Sequence, residues 1–224
     1  MRVHLEEQEL PVFPLTGSLL LPGTYLPLNI FEDRYRNMVR DTLDGDCMIG
    51  MIQPRVPGLD NYGIQPLQIE APDLYPVGCC GRIDRHELQE DGRYLIVLEG
   101  IVRFRVLREL EPVRGYRRVV PGFSEFELDL RSEEPEIDTV EILSVLDRFA
   151  QERDLEFDTD LLASLTGRRL VNTLSTALPF TAVEKQTLLE AQSPEDRAAL
   201  LVTLMGIESG SSTRSPSYSP PTIH

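Results

Sequence analysis

Asp91-Gly92-Arg93-Tyr94-Leu95-Ile96-Val97-Leu98-Glu99-Gly100-Ile101-Val102-Arg103-Phe104-Arg105-Val106-Leu107 decides the fold of the first half of this chain. Asp91-Gly92 is a hairpin turn pair, and a strand from Arg93 to Glu99 follows it. Beyond Gly100, the residues Val102, Phe104 and Val106 fall on one face, while Arg103, Arg105 and Leu107 fall on the other. A period of two predicts strands in an antiparallel sheet whose second face meets solvent. Outward from this stretch, alternating segments and turn residues recur through the first half. The apolar run from Cys47 to Ile52 reads as a further strand, with Cys47 expected in the core. One helix interrupts the pattern: Phe31, Tyr35, Met38, Val39 and Leu43 recur at helical spacing, which predicts a face that plugs or caps the sheet.

From about Ser132 the texture changes, because Gly and Pro thin out and helix-start signals replace alternation. Ser132 with Glu133, Glu134, Pro135 and Glu136 predicts the start of a helix that runs to about Arg153. A second is expected from about Thr159 to Leu178, ending before Pro179. Thr181 with Glu184 makes a capping box for a third, and Ser193-Pro194-Glu195 opens a fourth. On that fourth helix Ala198, Leu201, Val202 and Met205 form a stripe that must be buried against the other helices. Residues 209–224 are rich in Ser and Pro and are expected to be disordered. The reading is an α+β chain: a sheet subdomain over 1–130, a helical bundle over 131–208 and a tail over 209–224.

The chain has 224 residues and a net charge of −15, a field that repels phosphate backbones and anionic lipid head groups. Nucleic acid and membrane surfaces are therefore not expected partners. No stretch approaches the length of a transmembrane helix, and Glu6, Glu7 and Glu9 stand where a secretory signal needs a basic start, so a cytoplasmic location is expected. Three cysteines without framework spacing fit a reducing compartment.

The requirements of catalysis are mostly unmet. Lys185 is the single lysine and follows Glu184, so no P-loop exists. Its place on a polar helix start predicts an amine that nothing desolvates, which argues against a serine–lysine dyad. His4 and His224 lie near the ends, and no G-x-S-x-G elbow accompanies His86, which reads as a strand-end surface residue. Adjacent Cys79 and Cys80 point to opposite faces of a strand and cannot converge on one zinc ion. The 11 carboxylates between Glu133 and Asp160 lack a calcium-loop pattern and read as a solvated face. No metal, cofactor or catalytic residue is assigned. Nine arginines against seven carboxylates between Arg82 and Arg118 make a mildly basic stretch, for which cross-strand pairing of Arg103 and Arg105 with carboxylates is the expected arrangement.

Leu10-Pro11-Val12-Phe13-Pro14-Leu15, Leu21-Pro22-Gly23, Leu26-Pro27-Leu28-Asn29-Ile30-Phe31-Glu32-Asp33-Arg34-Tyr35, Asp91-Gly92-Arg93-Tyr94 and Glu99-Gly100-Ile101-Val102-Arg103-Phe104-Arg105-Val106 follow one another in an order that resembles the Lon protease N-terminal (substrate-binding) domain family. The resemblance covers residues 10 to about 120, and the helical remainder is similar to that family's bundle to about residue 207. It implies a PUA-like pseudo-β-barrel of about six strands with one interrupting helix, followed by a helical bundle. It further implies a part in recognising unfolded or tagged polypeptides; because the ATPase and peptidase parts that follow this region in Lon are missing here, a stand-alone, non-catalytic binding module is expected, with an AAA+ protease or chaperone as candidate partner. Pro14, Pro22 and Pro27 then fix backbone angles, and Phe31 with Tyr35 packs the helix on the barrel. Leu19, Leu20, Tyr25, Phe31 and Tyr62 are the candidate lining of a peptide groove between barrel and bundle. A small-molecule-binding or sensing module using the same cleft is the alternative.

Overall fold

The computed structural model describes residues 9–55 and 72–208, so Tyr62 and the 209–224 tail lie outside the described residues. Six strands form one mixed sheet: β1 (Leu10–Pro14), β2 (Tyr25–Ile30), β3 (Met48–Ile52), β4 (Val77–Leu88), β5 (Tyr94–Val113) and β6 (Tyr116–Gly122), in the order β2-β5-β4-β3-β1-β6. A further pairing of β5 with β6 closes β5, β4, β3, β1 and β6 into a barrel. β1 and β3 run parallel, and the other pairs are antiparallel. Helix α1 (Asp33–Leu43) lies between β2 and β3, and its Tyr35 ring packs 4.3 Å from Phe13 on β1. A 3-10 helix (Ser124–Leu130) leads from β6 to α2 (Thr139–Arg153), α3 (Thr159–Ala163), α4 (Gly167–Ala177), α5 (Ala182–Glu190) and α6 (Pro194–Glu208).

The motif residues meet in space. Gly100 sits inside β5, where an added Cβ would lie 2.1 Å from the Leu21 carbonyl oxygen. Its N–H donates to the Thr24 carbonyl, and its own carbonyl accepts from the Gly23 N–H. Thr24 Oγ1 donates to the Leu21 carbonyl and accepts from the Leu21 N–H, which locks the turn over the strand. The Leu-Pro-Gly and Glu-Gly elements are thus two sides of one contact, and only a residue without a side chain permits it. β5 is one strand of 20 residues rather than two strands divided at Gly100. Ile101 is an extra residue between Gly100 and Val102, opposite Gly81 and Cys80, and this bulge bends the strand so that it can close the barrel.

β2 pairs with β5 along one edge, and among the described residues no strand pairs with its other edge. The Thr24 carbonyl faces β5, so the backbone period of two turns positions 26, 28 and 30 inward and 25, 27 and 29 outward. Pro27, which has no N–H, falls at an outward position where no ladder bond is lost.

Several local expectations need correction. Phe31 precedes α1 and is 58% exposed, so Tyr35 packs the helix without it. α2 begins at Thr139 and not near Ser132, because the Asp138 carboxylate accepts from the Val140 and Glu141 N–H groups and supplies the cap. The helix expected over 159–178 is broken into α3 and α4 at residues 164–166, where Thr166 takes the N-cap position ahead of Gly167. That break lets Leu162 and the Leu170, Val171 and Leu174 stripe all reach the core. Cys47 is half-buried and lies just before β3 with φ of 61°, outside the core position expected for it. The Thr181–Glu184 capping box is present on α5.

Cys79 and Cys80 are both buried, and burial pushes both thiols up, so neither forms thiolate near neutral pH. Native protein treated with iodoacetamide should be alkylated first and predominantly at Cys47, and at all three cysteines only after denaturation; rapid native labelling of Cys79 or Cys80, read by peptide mass, contradicts this packing. Gly100→Ala should lower the unfolding free energy by roughly 2–4 kcal/mol through the clash with Leu21. Gly206→Ala on α6, where nothing lies within 4 Å of the added carbon, should raise it by about 0.5–1 kcal/mol. Urea titrations of the two variants provide the comparison.

Candidate functional site

The alternation of β5 places Arg103 on the polar face, yet this side chain is 0% exposed. The helices that follow the barrel cover that face. Arg103 Nε and Nη2 donate to the two carboxylate oxygens of Asp129, each at 2.9 Å, and the Arg103 backbone N–H donates to Asp129 Oδ2 at 3.0 Å. Nη1 donates to the Leu189 carbonyl at 2.9 Å and to the Ala191 carbonyl, and the guanidinium lies 4.7 Å from the Phe126 ring centre. One side chain therefore ties β5 to the 3-10 helix and to the last turn of α5. Expected cross-strand partners give way to helix-borne ones, since Arg105 also pairs with both oxygens of a 3-10-helix residue, Glu125, at 2.6 and 2.7 Å.

A second buried arginine completes the join. Arg197 on α6 donates through Nε to the Leu188 carbonyl and through Nη1 to Asn172 Oδ1, while Asn172 Nδ2 donates to the Pro22 carbonyl. Burial lowers the Arg197 pKa to about 9, which leaves the group charged at neutral pH. The amide side chains of Gln53 and Gln186 join β3 to α5: Gln53 Nε2 donates to Gln186 Oε1 at 3.1 Å, and Gln186 Nε2 donates to the Val77 carbonyl and to Glu190 Oε1. Lys185, expected to be solvated, is half-buried instead. Its Nζ donates to the Gly17 carbonyl at 3.0 Å, and burial lowers its pKa.

Beside these joints a groove of about 640 Å³ opens between α5, α6 and Tyr75. Tyr75 ahead of β4 forms one wall; Val183, Gln186, Thr187 and Glu190 of α5 and Asp196, Ala199, Leu200 and Thr203 of α6 form the others. The lining mixes apolar side chains with two carboxylates and contains no lysine or arginine. Among the described residues no group of three or more His, Cys, Asp or Glu side chains is placed to hold a metal ion, and no helix is long and apolar enough to cross a membrane.

The candidate lining residues are scattered rather than gathered here. Leu19 and Leu20 are buried, and the Leu20 side chain packs where Gly81 and Gly100 leave room. Tyr25 is 56% exposed at one end of β2, and exposed Phe31 lies just past the other. His86 is exposed on β4. The groove residues of α5 and α6 escaped sequence reasoning because helical spacing marks a face without saying which neighbour leaves it uncovered. Most arginines of the sheet and its turns are engaged in ion pairs: Arg82 with Glu99, Arg114 with Asp41, Arg117 with Glu109 and Arg118 with Glu9, besides those of Arg103 and Arg105.

The fold is shared with solved Lon N-terminal domains. A Lon N-terminal domain protein from Xanthomonas campestris superposes with a TM-score of 0.62 at 24% identity, covering 88% of this chain and 98% of that one. The N-terminal domain of Mycobacterium avium complex Lon protease gives 0.62 at 18% identity, covering 89% and 98%. Residues 9–206 match the ATP-dependent protease La (LON) substrate-binding domain, and the chain belongs to that family. Similar curated proteins are Lon protease 2 of Myxococcus xanthus, 27% identical over 203 residues, and Lon protease of Escherichia coli strain K12, 22% identical over 207 residues. These alignments take in 88% and 91% of this chain but only 23% and 25% of those relatives.

Arg103→Ala should cost about 3–5 kcal/mol of unfolding free energy, because it strands the Asp129 carboxylate and two carbonyls. Arg105→Ala, which removes an exposed pair, should cost less than about 1 kcal/mol. Equal losses in guanidinium titrations would contradict the placement of Arg103.

Proposed function

We propose that this chain is a non-catalytic recognition module that holds segments of unfolded or tagged polypeptides, on behalf of an AAA+ protease or a chaperone in the cytoplasm. Membership of the LON substrate-binding family is the observation that carries the reading. The groove of α5, α6 and Tyr75 gives it a physical seat: it is open to solvent, partly apolar and rigidly backed, which suits a passing chain. Paired arginines on the sheet leave little free cationic surface for a nucleic acid, in keeping with the net charge of −15. The second reading, a small molecule in the same groove, draws on its volume, which lies in the usual range for ligand sites. The open form of the groove favours a polypeptide over an enclosed metabolite.

Thiol-blocked, unfolded lysozyme and native lysozyme distinguish these readings by fluorescence anisotropy. The unfolded form should bind, the native form should not, and the bound chain should remain uncleaved with or without ATP. Failure to bind either form overturns the proposal, as does cleavage by homogeneous protein.

A further inference from the structure

We infer that the groove between α5, α6 and Tyr75 selects polypeptide segments that carry a large apolar side chain beside arginine or lysine, and rejects acidic ones. This narrows the polypeptide-binding reading above and rests on it. α5 presents Val183, Thr187 and Glu190 at successive helical turns, and α6 presents Asp196, Leu200 and Thr203 in the same spacing. Each wall thus combines an apolar residue with a carboxylate. Val183 is 61% exposed and Leu200 half-buried, and with Ala191 and Ala199 they give an apolar side chain somewhere to rest.

Charge decides which neighbours that side chain can have. Glu190 and Asp196 line the groove, and no cation among the lining residues answers them. Asp196 Oδ2 accepts from Ser193 Oγ, and Glu190 Oε1 accepts from Gln186 Nε2, so both carboxylates are held in place by neutral donors that do not cancel their charge. The field of Arg105 reaches Glu190, but its guanidinium is engaged by both oxygens of Glu125. An arginine or lysine entering the groove can lay its methylene stem on Val183 or Leu200 and bring its charged head to the carboxylates. A glutamate in the same place meets repulsion from the groove and from the whole molecule. Arg103 and Arg197 hold the Leu188, Leu189 and Ala191 carbonyls, so the α5 wall is preformed and little ordering remains to oppose binding.

The test uses the full chain and short labelled peptides with a common Leu-Phe centre, flanked by Arg, Gln or Glu, read by anisotropy. At about 50 mM salt the Arg-flanked peptide should bind about tenfold more tightly than the Glu-flanked one, and the gap should shrink at about 500 mM. Glu190→Lys should weaken the Arg-flanked peptide about tenfold, whereas Glu156→Lys, an equal charge change outside the groove, should alter it less than about twofold. Val183→Asp should lower affinity for the Gln-flanked peptide; matching thermal melts exclude a folding defect in these exposed positions. Equal binding of Arg- and Glu-flanked peptides overturns the inference, and so does an equal effect of Glu156→Lys. Unfolded lysozyme bound equally by wild type and Glu190→Lys removes the groove while leaving polypeptide recognition standing. Loss of all polypeptide binding in the wild type removes both.

Discussion

The ion pair of Arg103 with Asp129 is the interaction on which the rest of the arrangement depends. Taking a guanidinium and a carboxylate out of water costs several kcal/mol per ion, and the pair survives only because its geometry is bidentate and the remaining donors are used. They are used on the carbonyls at the end of α5, which the helix itself leaves without partners. The same group therefore neutralises a charge, caps a helix and fixes the bundle to the barrel. Without it the apolar faces of barrel and bundle could still adhere, but their register would rest on the Asn172, Gln53–Gln186 and Lys185 contacts alone.

Arg197 repeats this logic from the other side. It begins on α6, reaches the Leu188 carbonyl, and through Asn172 touches the Pro22 carbonyl of the turn that covers Gly100. The path from barrel turn to α6 thus passes through buried polar groups, and one continuous hydrophobic cluster surrounds it. Barrel and bundle differ in texture along the sequence, but their interiors merge.

The barrel was legible because its signals are local: alternation in β5, the turn at Asp91-Gly92, the helical stripe from Tyr35 to Leu43 and the capping box at Thr181 each depend on neighbours in the chain. What failed were inferences at single positions that needed to know what lies opposite. Arg103 alternates like a surface residue, and only the later helices, far along the chain, turn that surface into an interior. Lys185 sits on a polar helix start, and the Gly17 loop that half-buries it is distant in sequence. Phe31 fits a helical period but stands two residues ahead of the helix. Leu19 and Leu20 belong to a recognisable motif and are buried, while the groove is made by α5 and α6, whose exposed stripes look ordinary in isolation.

The proline in β2 has a consequence for crowded solutions. An open strand edge is a template on which a second molecule can grow a ribbon, and the row of outward donors on β2 has a gap at Pro27 between Tyr25 and Asn29. A copy of this strand laid alongside could bond on either side of the gap but not across it, so any ribbon begun there stops within a residue or two. The strand that would otherwise be most easily recruited into a fibre thereby carries its own insulation.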